Sequence, residues 1–310
     1  YGISMLYGAT GSTVLPQIID EVQKNGADNP LVIVGMALVV IAMSFKIAIV
    51  PFHMWTPDVY TGAPTPVTGF LSAAAKAAGF AVFVRVLLTG IPLDGANWEN
   101  VLWILAVLSM TVGNLMALRQ SEVKRMLAFS SIAHAGYVLV AVVVGSASAI
   151  SGVIFYSIAY AVMGTGAFGI LTIRDAGRVP QTYDDLAGYG KRNPFQALMM
   201  TLFMFSLIGL PLTGGFIGKL QIFSAALDGG WVWLTVIGIL NSALSAYYYL
   251  RVVMFMYMRE GALPEGTDLS GRSSGFALTG LIGTAVAVLY LGVFPDKIIE
   301  LASSSIQALL

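Results

Sequence analysis

From Val101 to Leu118 the chain reads VLWILAVLSMTVGNLMAL without one charged side chain, and runs of the same kind recur along its length. Such a run constrains the fold more than any motif does. In hydrocarbon a backbone amide or carbonyl finds no water, so a segment that crosses lipid must be a helix or a strand of a closed barrel. Barrel strands alternate apolar and polar residues, whereas these runs are continuously apolar and long enough for a helix of about 20 residues. The expected class is therefore an all-α polytopic membrane protein. The runs place helices over 31–55, 66–90, 100–118, 123–145, 148–173, 196–227, 231–258 and 275–295, in one membrane domain spanning 9–295. Residues 1–8 read as the tail of a further membrane helix and 296–310 as a C-terminal tail. Between 9 and 29 a short amphipathic piece, Leu15 to Lys24, puts Ile18, Ile19 and Val22 on one face.

Charge is scarce, at 10% of residues, and balanced, with 16 basic and 16 acidic side chains. A nucleic-acid partner has no electrostatic footing in such a chain. The absence of cysteine excludes disulfides and any thiolate-held iron–sulfur or zinc centre, and with only His53 and His134 no imidazole-built metal site is expected either. No phosphate loop, nucleophile–base pair or dinucleotide fingerprint occurs; GTGAFG at 164–169 fits neither spacing and lies within a span, where small residues let helices approach. The positive charges that exist are unevenly placed. Arg119, Lys124, Arg125, Arg174, Arg178, Lys191, Arg192, Arg259 and Arg272 fall on one side of the alternating spans, with Lys24 and Lys297 on the other. By the positive-inside rule the first side is cytoplasmic and the C-terminus faces the opposite compartment.

Three lysines break the pattern from within. Lys46, Lys76 and Lys219 fall well inside their expected spans, too deep to reach water by stretching their stems. No Asp or Glu lies inside any expected span, so each ammonium needs a neutral polar partner, a carboxylate from outside this sequence, or loss of its proton. Ionisable groups at membrane depth mark proton or ion routes; the alternative is a purely structural pairing that fixes helix packing. Two of these lysines adjoin helix breakers: Lys46 precedes Pro51, and Lys219 follows Pro211, Gly214 and Gly215. A helix-interior proline removes an amide and displaces the carbonyl four residues back, here Ile47 and Leu207. Matching broken helices in two halves of a chain point to inverted repeats around an ion path.

Further groups join this set. His53 and His134 could relay protons between lysines or serve as hydrogen-bonded structural residues. Lys124 and Arg125 read as surface anchors, with Lys124 a weaker relay candidate because Ser130, Ser131, His134 and Tyr137 continue a polar stripe inward from it. Asn114, Asn241, Ser245 and Tyr247 to Tyr249 add hydrogen-bonding capacity, although tyrosines near span ends are more often interface anchors. In TPDVYTGAPTPV, Pro57, Pro64, Pro66 and Gly62 argue against regular helix, and Asp58 is placed to pair with a basic group.

The segments FKIAIVPFHMWTPDVYTGAPTPVTGFLSAAAKAAG, VKRMLAFSSIAHAGYVLV, GLPLTGGFIGKLQIF and SAYYYLRV together resemble the antiporter-like membrane subunits of respiratory complex I. Within that family, the lysine after the second break, the serines before His134 and the YYYLR run are similar to the N type. The resemblance implies an antiporter-like fold with inverted repeats and two discontinuous helices. It also implies that Lys46 and Lys219 are the broken-helix lysines of the two repeats and Lys76 the lysine connecting them, with His53, His134 and Lys124 as possible relay members. The implied role is proton translocation in NADH:quinone oxidoreductase in the bacterial inner membrane, beside other membrane-arm subunits and neighbouring antiporter-like chains. No cofactor is implied in this chain; FMN, iron–sulfur clusters and quinone belong to partner subunits. A carboxylate partner of Lys46 is implied upstream of Tyr1. An Mrp-type cation/proton antiporter subunit shares the fold, and a non-pumping structural subunit of a related complex is the remaining reading.

Overall fold

The computed structural model describes residues 1–25, 29–90, 98–174, 181–260 and 275–307. Among these residues the regular structure is helical. Helix α1 (Gly2–Thr10) packs on α3 (Pro30–Ile47), and the amphipathic α2 (Leu15–Asn25) turns Ile18 and Val22 into the core. Asn29 starts α3 by accepting the Leu31 amide at 3.0 Å, with Pro30 at the first helical position, where no amide is needed. The helix ends at Ala48, which adopts the left-handed conformation (φ 61°), and a cis Val50–Pro51 peptide follows. After this break come α4 (Trp55–Gly62) and α5 (Thr65–Phe70), a π-helical turn at Leu71–Ala75, and α6 (Lys76–Gly90).

Helices α7 (Trp98–Leu118), α8 (Val123–Val144) and α9 (Ala147–Arg174) cross the molecule in full. A 3₁₀ turn at Asp184–Leu186 and the short α10 (Tyr189–Arg192) lead to α11 (Pro194–Ile208). This helix stops at Gly209, again left-handed (φ 89°), and α12 (Gly214–Asp228) resumes the path. Then follow α13 (Val232–Met258), α14 (Gly275–Val293) and α15 (Asp296–Gln307). Seven helices of the described residues are long and apolar enough to cross a membrane; α11 and α12 are the two halves of a further, interrupted path.

Three expectations need correction. The proline-rich segment is mostly helix: Pro57 lies in the first turn of α4 and Pro66 in that of α5, where an amide has no helical acceptor to lose. Only the Ala63–Pro64 link is extended. The helix bearing Lys46 ends one residue after it, so Lys46 sits in a last turn and not in mid-span. Residues 296–307, expected as a tail, form an amphipathic helix that buries Ala302 and Ile306 against α9. Arg178 and Arg272, counted toward sidedness, lie outside the described residues, as do the side chain of Arg174 and the connector 91–97.

The core is organised about α8. Its side chains are buried almost from end to end, which explains why it lacks the one-sided stripe of a surface helix. Its tightest neighbour is α7, and two glycines permit the approach. A Cβ at Gly113 would stand 2.7 Å from the Ala133 amide nitrogen, and one at Gly136 would stand 2.7 Å from that of Met110. With no difference in polarity between lipid and Leu side chains, such backbone contact carries much of the helix association. Gly136→Ala should therefore destabilise the folded protein by about 1–3 kcal/mol. Gly280→Ala, where nothing lies within 4 Å, should change it by less than about 0.5 kcal/mol. Thermal midpoints in detergent that fall together for the two variants would contradict this packing.

Candidate functional site

The two helix breaks are built alike on their leading side. At the first, the Ala48 amide donates to Phe45 O and the Ile49 amide to Ser44 O (2.8 Å); at the second, the Gly209 amide donates to Ser206 O and the Leu210 amide to Phe205 O (3.0 Å). Each is a left-handed helix stop in which a bond spans five residues. The groups freed beyond the stop are satisfied by side chains, as lipid requires. In the first break the Val50 amide donates to Ser109 Oγ of α7 (3.0 Å), and Trp55 Nε1 reaches back to Phe45 O (2.9 Å). In the second the Gly215 amide donates to Ser206 Oγ (3.2 Å). Glycine is required there, because a Cβ would lie 1.9 Å from Ser206 O.

Lys219 completes the second break. It is 4% exposed, and its Nζ donates to Leu207 O (3.0 Å), Ile208 O (2.7 Å) and Ser242 Oγ (2.8 Å). The first two are carbonyls at the open end of α11, where the helix dipole favours a cation. All three ammonium hydrogens thus have acceptors, and Nζ also lies 4.9 Å from the centre of the Tyr137 ring. Desolvating an ammonium costs several kcal/mol. Three charge-assisted bonds at about 1.5–3 kcal/mol each are of the same order, so the site holds a cation without a carboxylate.

Lys76, 6% exposed, follows directly on the π-helical turn, a local irregularity often found at functional positions. Its Nζ donates to Ser131 O (2.7 Å) and Ser131 Oγ (3.0 Å) on α8. A cavity of about 10 Å³ between Lys76, Phe80, His134 and Tyr156 has room for a single water. His134 is buried beyond it. Its Nδ1 shares a hydrogen bond with the Tyr156 hydroxyl (2.6 Å) and its Nε2 with the Tyr249 hydroxyl (2.9 Å), while Tyr249 in turn bonds Ser130 Oγ. On one side His134 lines this cavity with Lys76, and on the other its ring lies 5.5 Å from the Tyr137 ring that Lys219 faces. Beside this line, Asn114 of α7 accepts from the Tyr248 hydroxyl (2.7 Å), and its Nδ2 lies within 3.3 Å of Tyr137 Oη and of Asn241 O and Oδ1.

Other sequence candidates fall elsewhere. Lys46 is exposed on α3, its stem running past Gly79, and makes no hydrogen bond or ion pair among the described residues. His53 is half-buried beyond the first break, with a buried Nδ1 lacking a hydrogen-bond partner among the described residues. It does not join the Lys76–His134–Lys219 group by any described bond. Pro51 and Pro211 are exposed at their breaks. Lys124 is buried and not a surface anchor: it caps α4 by donating to Thr61 O (3.3 Å) and Ala63 O (2.5 Å). Its neighbour Arg125 pairs with Asp58 (2.8 Å), so the head of α8 clamps α4 twice. Neither this pair nor Lys24–Glu21 involves a buried lysine of the site. Tyr248 and Tyr249 are core residues, whereas Tyr247 is exposed.

Sequence reasoning missed Ser242, Tyr156 and Ser109. Ser242 lies between the noted Asn241 and Ser245, but only the return of α12 beside α13 brings it to Lys219. Tyr156 stands in an apolar run where nothing distinguishes it from a packing aromatic.

The family described as NADH:quinone oxidoreductase/Mrp antiporter, TM, matches residues 1–245. The NADH-quinone oxidoreductase subunit N of Trichlorobacter lovleyi is 48% identical over 99% of this chain and 63% of its own length. A chain of respiratory complex I from Thermus thermophilus with bound aureothin is 36% identical, with a TM-score of 0.81 over 97% of this chain and 64% of that one. A chain of the Mrp complex from Dietzia sp. DQ12-45-1b shares the fold, with a TM-score of 0.84 at 23% identity over 97% of this chain and 63% of that one. The chain thus spans 63% of the length of the curated relative it matches.

Lys219→Met removes the donor to the open end of α11 and should lower stability by about 1–3 kcal/mol through unsatisfied carbonyls. Lys297→Met, at an exposed position on α15, should lower it by less than about 0.5 kcal/mol. Thermal unfolding in detergent checks the pair; equal losses would contradict the capping role of Lys219.

Proposed function

Because this chain belongs to the NADH:quinone oxidoreductase/Mrp antiporter transmembrane family, we propose that it forms the greater part of an N-type subunit that moves protons across the membrane within NADH:quinone oxidoreductase. The observation that carries this reading is the pair of buried lysines, Lys76 and Lys219, held by neutral partners, with His134 lining the cavity beside Lys76 and its ring 5.5 Å from the Tyr137 ring that Lys219 faces. A buried lysine paired to a carboxylate is locked in one charge state by its partner. One held by carbonyls and hydroxyls has no fixed counter-charge, so a change in a neighbouring charge can shift its proton. Moving one charge against 100 mV costs about 2.3 kcal/mol, comparable to the worth of one or two charged hydrogen bonds. Small changes in lysine bonding therefore match the work to be done.

On this reading the electron transfer that drives the cycle happens elsewhere in the complex. FMN, iron–sulfur clusters and quinone belong to partner subunits, and this chain, which has no cysteine, supplies charge rearrangement alone. Its partners are other membrane-arm subunits, neighbouring antiporter-like chains among them. Lys46, exposed on α3, meets its counter-charge on a segment or chain packed over that face. The location is the bacterial inner membrane, with the C-terminus periplasmic, following the lysine and arginine bias of the loops.

The fold shared with an Mrp complex supports a second reading, a cation/proton antiporter subunit. Sodium-dependent proton flux in proteoliposomes would favour it; co-purification with quinone-reductase subunits favours the first. Lys219→Ala in the full-length protein should reduce proton translocation in membrane vesicles about tenfold or more while the complex still assembles. Normal translocation with this variant would sink the assignment.

A further inference from the structure

Both buried lysines make the same small construction with a serine. Lys219 Nζ donates to Ser242 Oγ (2.8 Å), and Ser242 Oγ donates to Ile208 O (3.2 Å). Lys76 Nζ donates to Ser131 Oγ (3.0 Å), and Ser131 Oγ donates to Ala128 O (2.8 Å). The remaining bonded partners of the two ammonium groups are backbone carbonyls: Leu207 O and Ile208 O for Lys219, Ser131 O for Lys76. A carbonyl oxygen accepts but has no proton to give, so it can neither pass a proton onward nor donate to a neutral amine. A serine hydroxyl does both, because it carries one donor and two acceptor sites and its hydrogen rotates freely.

We propose that Ser131 and Ser242 are the proton hand-off groups of Lys76 and Lys219, and that each hydroxyl has two settings tied to the charge of its lysine. The proposal rests on the proton-translocating reading above. With the lysine charged, the hydroxyl accepts from Nζ and spends its own hydrogen on the adjacent carbonyl, as in this structure. In the hand-off an N–H bond of the ammonium breaks as a new O–H bond forms on the serine, and the original serine proton leaves to the next acceptor. The serine ends neutral, the lysine becomes an amine, one proton has moved, and nothing is oxidised or reduced. The hydroxyl then turns and donates to the nitrogen lone pair, which keeps the neutral amine satisfied.

Each serine needs a next acceptor. Ser131 is fully buried on α8, one turn before His134. Its proton passes to a water in the cavity beside Lys76 and His134, which gives up a proton of its own to the imidazole as it takes this one, and His134 ends protonated. Ser242 is half-buried on α13, and its hand-off requires a water as co-reactant, which gives up a proton of its own as it takes the serine's.

The test uses the full-length protein in its native membrane complex, with proton translocation measured per electron-transfer turnover in inverted vesicles. Ser242→Ala and Ser131→Ala should each lower translocation about tenfold with the complex assembled, and Ser242→Thr and Ser131→Thr, which keep a rotating hydroxyl, should restore it. Full translocation with the alanine variants overturns the proposal. So does failure of the threonine variants to improve on alanine in an assembled complex, since the hydroxyl would then be irrelevant. Lys76→Met and Lys219→Met are run beside them: if those retain translocation, the proton-pumping reading itself fails, whereas lysine loss with alanine variants intact removes only the serine hand-off.

Discussion

The contact between the Lys219 ammonium and the open carbonyl end of α11 organises much of this molecule. A helix cannot stop inside a membrane without orphaned carbonyls, and a lysine cannot sit there without acceptors. Each defect supplies what the other lacks, and Leu207 O and Ile208 O take two of the three ammonium hydrogens. The arrangement demands Gly209 in a left-handed turn and Gly215 against Ser206 O, so the glycine-rich break and the buried charge stand or fall together. Lys124 repeats the device at the end of α4, where it caps the helix. At Lys219 and Lys76 a serine that can both accept and donate joins the carbonyls.

Much of this was legible in the residues. Continuous apolar runs imposed a helical membrane fold, because no other secondary structure satisfies its backbone in lipid. Pro211 with Gly214 and Gly215 marked the second break, and the carbonyl of Leu207 was singled out as lacking a helical partner, the atom that Lys219 then occupies. The surroundings of Lys46 were not legible. An apolar run to residue 55 places it in mid-helix, whereas the left-handed turn at Ala48 ends the helix, and the side chain is exposed among the described residues. The helical character of the TPDVYTGAPTPV segment was missed for a related reason: proline breaks a helix in its interior but starts one in its first turn, and composition does not say which applies. Ser242 and Tyr156 could not be found at all, since their roles arise from helices brought together in space.

The fully buried α8 ties these parts into one system. Its head clamps α4 through Lys124 and Arg125, its middle presents Ser131 to Lys76 and His134 to two tyrosines, and its next turn lays Tyr137 beneath Lys219. Close packing on α7 through Gly113 and Gly136 leaves little freedom for this helix to shift. On the proposed function, side chains and hydroxyl rotors rearrange about this helix. A proton path that works by changes of bonding around a rigid helix needs no large motion of this chain.

The central claim is that charge passes between Lys76 and Lys219 by way of His134, and a single isosteric replacement addresses it. Glutamine at 134 can still bond the hydroxyls of Tyr156 and Tyr249 but cannot take up a proton near neutral pH. With His134→Gln in the assembled full-length complex, proton translocation per turnover in inverted vesicles should fall about tenfold or more while the complex keeps its thermal stability. Translocation equal to that of the unaltered protein would contradict the account, because the imidazole would then be a hydrogen-bonded spacer and the two lysines would not communicate through it.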